Sequence, residues 1–389
     1  MKITDIREAT ASISSDIRNA YVNFSQMTVS VLAVESDVMR NGRPVTGYGF
    51  CSNGRYAQGG ILRERLIPRL RDAEPSTLLD AAGTNFDPRK IRDTMFLNEK
   101  PGGHGDRAVA AGALDMAVWD LVAKIAEQSL WRLLSERYNG GDHDGEVMVY
   151  PGGGYYYPGK GLDRLREEMR GYRDQGYKVV KMKIGAVPLN EDLARIEAVI
   201  DEIGNGNDLA VDANGRFDLE TALAYGSAMK DFNLFWFEEP GDPLDFTLNA
   251  ELAAQYPGPL ATGENLFSLQ DARNLVRHGG MRPDRDWIQV DPALSYGITE
   301  YLDIIAMVES MGWSRRRLIP HGGHQLALAM AAGLQLGGSE SYPGVFQPFG
   351  GFADDIVIKD GMAQPGDHVG IGMEAKTEMF TEIQRLVGG

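Results

Sequence analysis

The chain has 389 residues, 43% hydrophobic and 24% charged, with 55 Asp plus Glu against 39 Lys plus Arg and a formal net charge of −16. That length suits two domains or one large barrel with an addition, and an acidic balance without a basic run excludes general affinity for nucleic acid or an anionic membrane. The single cysteine, Cys51, excludes an internal disulfide and a thiolate-built zinc site, and suits a reducing compartment.

Met1 to Asp16 carries Lys2, Asp5, Arg7, Glu8 and Asp16, so it lacks the apolar core of a signal peptide and a cytoplasmic location is expected. Ser25 to Val34 alternates through Met27, Val29, Val31 and Ala33, and Val45 to Phe50 follows the turn dipeptide Asn41-Gly42, which predicts an antiparallel ribbon. Ile61 to Arg71 reads as a helix. Asp106 to Ala126 reads as a second, with Leu114, Val118, Leu121, Val122 and Ile125 on a buried face. Asp115, Asp120 and Lys124 interrupt that segment, and Leu326 to Leu334 is too short to span a bilayer, so no transmembrane segment is expected.

The Gly- and Asp-rich stretch from Asn139 to Gly145 marks a domain boundary, giving an α+β domain over residues 1–140. Beyond it come eight short apolar runs: Val147 to Tyr150, Lys178 to Ile184, Leu209 to Asp212, Leu234 to Glu238, Leu260 to Glu264, Trp287 to Asp291, Arg317 to His321 and Leu334 to Glu340. Runs of this kind separated by helical segments predict parallel strands buried on both faces, in a closed β/α barrel or an open doubly wound sheet.

Lys183, Asp212, Glu238, Glu264, Asp291 and His321 end successive runs at intervals of 26 to 30 residues, placing them at one height on the C-terminal rim of a barrel. One carboxylate after a strand is ordinarily a helix cap or a rim ion pair, but six charged groups in register are hard to bury as packing. Asp212, Glu238 and Glu264 offer three hard oxygen ligands that suit Mg²⁺, with Mn²⁺ as a substitute. Lys181 and Lys183 flank Met182 and share a strand face. A metal and a second ammonium beside it would pull a lysine down toward the range of a general base. Asp291 can hold and charge the His321 imidazole. His324 is ambiguous, and His104, His143, His278 and His368 read as structural. Gly154 to Lys160 imitates a phosphate loop, but Gly161 stands where Ser or Thr is required, so it reads as a loop over the active site.

These residues resemble the enolase superfamily, and within it the mandelate racemase subgroup. The matching pieces are residues 113–120 (Ala-Leu-Asp-Met-Ala-Val-Trp-Asp), Lys-Met-Lys at 181–183, Val-Asp-Ala-Asn-Gly at 211–215, Phe-Glu-Glu-Pro at 237–240, Thr-Gly-Glu-Asn at 262–265, Asp291 and Pro-His-Gly at 320–322. The resemblance implies an α/β fold, a modified (β/α)₇β TIM-type barrel over residues 141–370 under an α+β N-terminal capping domain (1–140), with a tail (371–389) returning to the cap. It implies Mg²⁺ on Asp212, Glu238 and Glu264, Lys183 as base, Asp291 and His321 as an acid/base dyad, Glu340 at the substrate carboxylate, and a homo-oligomer.

The family chemistry removes a proton next to a carboxylate, with Lys181 helping to stabilise the enediolate. A dehydratase and a racemase would use the same barrel residues. Segments 17–21, 52–56, 98–104 and 154–159 are similar to those of the family's D-tartrate dehydratases, which implies D-tartrate as the small hydroxy-acid substrate, oxaloacetate and water as products, and Asn19, Asn53, Lys100 and Tyr157 as substrate contacts. Lys100 or Arg55 would supply a cation for the distal carboxylate. The alternatives are a dehydratase of a longer aldonic or aldaric acid, a mandelate-type racemase, and a carboxylate-binding paralogue without turnover.

Overall fold

The computed structural model describes every residue except Ser14, Asn53, Gly54 and Gly389. Three antiparallel strands open the chain in the order β1 (Ile3–Ser12), β2 (Thr28–Arg40) and β3 (Arg43–Phe50). The predicted ribbon is β2–β3, turning at Asn41 and Gly42 with φ of 49° and 74°, the positive values that a two-residue hairpin connection demands. β1 went unread because only Ile6 and Ala11 of its ten residues are buried, too few for an alternating pattern.

The helix expected at 61–71 is present but interrupted: α1 (Gly59–Ile61) passes through a π-helical turn at Leu62–Leu66 into α2 (Ile67–Arg71). α3 (Pro88–Met95) is capped by Asp87, whose side chain accepts from Arg89 N at 2.9 Å. α4 (Asp106–Ile125) is buried on nearly every side, and α5 (Leu130–Tyr138) follows it. Gly47 and Gly49 on β3 admit α4. A Cβ on either would fall within 2.1 Å of Ala117 O and 2.3 Å of Ala113 O respectively.

β4 (Val147–Gly153), β5 (Val180–Lys183), β6 (Leu209–Asp212), β7 (Trp236–Glu238), β8 (Leu260–Thr262) and β9 (Trp287–Ile288) pair in parallel in that order, and β10 (Ser339–Ser341) pairs with the free side of β4. The connecting helices are α6 (Leu162–Asp174), α7 (Leu189–Ile203), α8 (Leu219–Met229), α9 (Phe246–Gln255), α10 (Leu269–His278), α11 (Ile298–Ser310) and α12 (Gln325–Gly333). The two-residue strands β11 (Ile358–Lys359) and β12 (Met362–Ala363) add antiparallel to β4.

One predicted strand is corrected. Arg317 to His321 makes only a single bridge, Leu318 to Ile288, because residues 315–317 form a 3₁₀ turn and Pro320 has no N–H to extend a ladder. The sheet still curls into a barrel through Leu318 and Ile319: Ile319 N donates to Ile288 O at 3.0 Å, and Gly337 N to Leu318 O at 2.8 Å. Tyr150, Ala210, Trp236, Ala261 and Ile319 fill its interior. The C-terminal helix α13 (Thr377–Val387) returns to the first sheet, where Arg7 Nε donates to Val387 O at 2.8 Å. Among the described residues, no helix is long and apolar enough to cross a membrane.

One meeting of cap and barrel is where α4 crosses the segment after β9 and the first turn of α11. Thr299 Oγ1 donates to Asp115 Oδ1 (2.6 Å), Trp119 Nε1 donates to Thr299 Oγ1 (3.0 Å), and a Cβ on Gly112 would lie 2.1 Å from Ala293 O. Gly112→Val should therefore destabilise the fold by about 1–3 kcal/mol through overpacking, read as a lower urea midpoint; an unchanged midpoint contradicts the contact.

Candidate active site

Lys183 lies level with Asp212, and Asp212 with Glu238, on adjacent strands. Glu264 stands two residues past β8, after Gly263 at φ 132°, and Asp291 and His321 also come from segments beyond the ladder. The expectation of one common height thus holds for three groups, while the other three are carried by loops. All are buried. Carboxylate oxygens of Asp212, Glu238 and Glu264 lie within 4.8 Å of one another.

Lys181 is fully buried. Its ammonium reaches Glu238 and Glu340, each at 2.7 Å, and Asp212 at 3.7 Å. Lys183 donates to Asp212. Trp236 Nε1 and Gln289 Nε2 both donate to Glu238 Oε2, at 2.7 and 3.1 Å. Burial by itself would lower the Lys183 pKa, but Asp212, Tyr155 and Glu264 outweigh it, so among the protein groups the lysine is held above its ordinary range. The nearest charge to Lys183 is the Asp212 carboxylate, and the expected downward pull belongs to the state in which a cation on the triad takes up that charge.

His321 Nδ1 lies 2.8 Å from Asp291 Oδ2, which also accepts from Ser52 Oγ. Burial opposes the imidazolium, yet Glu264, Glu340 and Asp291 together push its pKa up to about 9. His324 differs: it precedes α12 in extended backbone, is buried, and is driven down to about 4 by that burial. Burial, and then Asp212, raises Glu238 to about 8.

With every group ionised, five carboxylates (Asp212, Glu238, Glu264, Asp291 and Glu340) would face three cations (Lys181, Lys183 and His321), two negative charges in excess, and the raised Glu238 shows the cluster answering part of that excess by holding a proton. Glu264 Oε2 is buried and accepts no hydrogen bond. An all-oxygen triad with an unsatisfied buried oxygen and surplus negative charge fits a hard divalent cation.

Of the loop residues, Asn53 lies outside the described residues. Asn19 Oδ1 accepts from Tyr21 N (2.9 Å) and Val22 N (2.7 Å), a local turn. Lys100 is exposed, and Arg55 donates to Asn265. Tyr157 lies under the Lys160 ammonium, 4.5 Å from its ring centroid. Tyr155, not singled out in the sequence, is buried with its ring centroid 5.2 Å from Lys183 Nζ. Tyr342 was also missed. Its hydroxyl lies 2.8 Å from His321 Nε2 and donates to Glu340 Oε2 at 3.0 Å; the two-residue step from Glu340 is the signal that could have placed both on one face. Arg195 donates to the carbonyls of Lys183 (2.9 Å) and Gly154 (3.0 Å), holding the base-bearing strand against the loop after β4.

Residues 164–379 match the family model described as enolase C-terminal domain-like, and residues 45–135 match the mandelate racemase / muconate lactonizing enzyme N-terminal domain. The chain belongs to the enolase superfamily. Among enolase-superfamily relatives, it is 32% identical over 280 residues to L-talarate/galactarate dehydratase of Salmonella typhimurium, spanning 72% of this chain and 66% of that enzyme, just under two thirds of its length. It is 30% identical over 304 residues to 3,6-anhydro-alpha-L-galactonate cycloisomerase of Streptomyces coelicolor, covering 77% of this chain and 78% of that one. A crystal structure of the Salmonella typhimurium dehydratase, liganded with Mg and L-lyxarohydroxamate, superposes with a TM-score of 0.76 at 25% identity, covering 94% of this chain and 88% of that chain.

The raised pKa of His321 gives a stability prediction with a definite sign. Its contribution is fully present below the ordinary histidine pKa near 6.5 and is lost as pH rises through about 9. In EDTA, the stability gap between the unmodified protein and His321→Asn should narrow from pH 6 to pH 9.5, followed by urea titration; a constant gap refutes the assignment.

Proposed function

We propose that this enolase-superfamily protein is a Mg²⁺-dependent acid-sugar dehydratase, with D-tartrate, converted to oxaloacetate and water, as its substrate. The observation that carries the reading is the placement of Lys183 and the Asp291–His321 dyad on either side of the three strands whose ends lead to Asp212, Glu238 and Glu264. When bound to that triad, Mg²⁺ supplies two positive charges beside the substrate carboxylate. Lys181, with no solvent around it, adds a fixed cation on the same side. Lys183, neutral once a cation on the triad takes up the Asp212 charge that holds its proton, removes the proton from the carbon next to the carboxylate. His321, protonated and steadied by Asp291, gives a proton to the hydroxyl on the next carbon as the carbon–oxygen bond breaks, and the resulting enol tautomerises to a 2-keto acid. A base and an acid on separate sides of the cluster suit this elimination, and a carboxylate-binding module would need neither.

The choice of a four-carbon acid rests on the similarity of the loops and on crowding at the rim. Tyr155, against Lys183, and Tyr342, against His321, both pack on Phe346, and the cap's Phe24 meets Tyr155 and Phe346 with ring centroids 6.0 and 5.1 Å away. Four rings from cap and barrel favour a short substrate. A second reading, a dehydratase of longer aldaric or aldonic acids, is favoured by the substrate of the Salmonella typhimurium relative.

A library of acid sugars, assayed with Mg²⁺ for 2-keto acid and followed by proton NMR, separates the two. Turnover of D-tartrate is expected; turnover of longer acids with none on either tartrate enantiomer overturns the substrate. EDTA should abolish activity, and Mg²⁺ or Mn²⁺ should restore it. Lys183→Ala should lose α-proton exchange while Mg²⁺ affinity, measured by calorimetry, survives. Retained exchange would reject the lysine as base.

A further inference from the structure

We propose that Tyr342 is a further catalytic residue, a proton relay between His321 and the leaving hydroxyl; this deepens the dehydratase reading and rests on it. The phenol touches the atom that reacts. With Asp291 on Nδ1, His321 offers its other proton from Nε2, and among the described residues the Tyr342 hydroxyl lies 2.8 Å from Nε2, closer than Glu264 Oε2 at 3.3 Å or Glu340 Oε2 at 3.5 Å. The phenol in turn donates to Glu340 Oε2 at 3.0 Å. Donor and acceptor thus line up in one direction, from imidazolium through phenol to Glu340 Oε2, and in the relay the substrate hydroxyl on the carbon next to the reacting one replaces Glu340 as the phenol's acceptor.

A second observation shows that this ring is built into its place. Its two edges lie against two glycines from different parts of the barrel. A Cβ on Gly152, at the end of β4, would come within 2.6 Å of Tyr342 Cε1, and one on Gly323 within 2.5 Å of Cδ2. Gly323 also has φ 57°, a conformation that disfavours a side chain. Phe346 packs edge-on against the ring with centroids 5.0 Å apart, and the residue is 4% exposed. A phenol confined in this way delivers its hydroxyl to one point.

The step balances without a redox partner. The Nε2–H bond of the imidazolium breaks as its proton moves to the Tyr342 oxygen, the phenol's own proton passes to the β-hydroxyl, and the carbon–oxygen bond breaks with its electron pair leaving as water. The enediolate electrons form the carbon–carbon double bond of the enol. Tyr342 is neutral before and after, and His321 ends neutral.

Tyr342→Phe keeps the ring in its slot and removes only the oxygen. The substrate is D-tartrate, or whichever acid of the library the unmodified enzyme converts, in D₂O with Mg²⁺. Release of 2-keto acid should fall on the order of 100-fold, while KM stays within about twofold and α-deuterium uptake into recovered substrate continues, so that the ratio of exchange to dehydration rises by a similar factor. Dehydration at the unmodified rate overturns the relay. Equal loss of exchange and dehydration also overturns it, since that marks a structural role. An unmodified enzyme inactive on the whole library overturns the dehydratase reading itself, and the relay falls with it.

Discussion

The structure is organised around the cost of burying unlike numbers of charges at one end of a barrel. Carboxylates from successive β/α units converge there, and desolvation makes each of them costly unless a cation stands within a few ångströms. Lys181 shows how the protein meets that cost: no solvent reaches it, and three carboxylates surround it. The remaining excess of negative charge turns the site into a receptor for a divalent cation, and the same fields hold His321 protonated. Binding and acid chemistry thus arise from one electrostatic imbalance.

Much of this was legible before any fold was known, because Lys181 and Lys183 obey the two-residue strand period and the charged ends recur once per β/α unit. Both regularities are imposed by backbone geometry, so they survive in the sequence. The failures have equally local causes. β1 buries too little to alternate, and Pro320 stops a strand whose apolar run looked sound. The helix at 61–71 conceals a π turn that no periodicity of 3.6 residues reveals. The contact of Asp212 with the Lys183 amine went unread because it is a matter of side-chain packing.

Loop residues carry the least periodic signal. Asn19 spends its side-chain oxygen on its own turn, as an asparagine in a loop commonly does, and Lys100 points to solvent from a segment with no periodic constraint. Tyr155 and Tyr342 gained their positions from tertiary closeness: one lies over Lys183 and the other between two glycines far apart in the chain. Tyr155, in a loop, gives no directional signal until the barrel supplies one, whereas Tyr342 is two residues from Glu340 at the end of β10 and carries the strand period.

The contact of α4 with the segment after Asp291 carries a consequence for access. With helix backbone and loop backbone touching at Gly112 and Ala293, the cap cannot hinge open as a rigid hood without tearing away the segment that steadies His321. The segment carrying Asp291 is therefore held by the cap as well as by the barrel. On the base side, Arg18 of the cap and Tyr156 of the barrel exchange two backbone hydrogen bonds, at 2.9 and 2.8 Å, and Tyr156 shares Arg195 with the Lys183 carbonyl. Cap and barrel are thereby tied on both sides of the site, by close backbone packing beside the histidine and by paired backbone hydrogen bonds beside the lysine, so both halves of the acid–base pair are referred to one rigid frame.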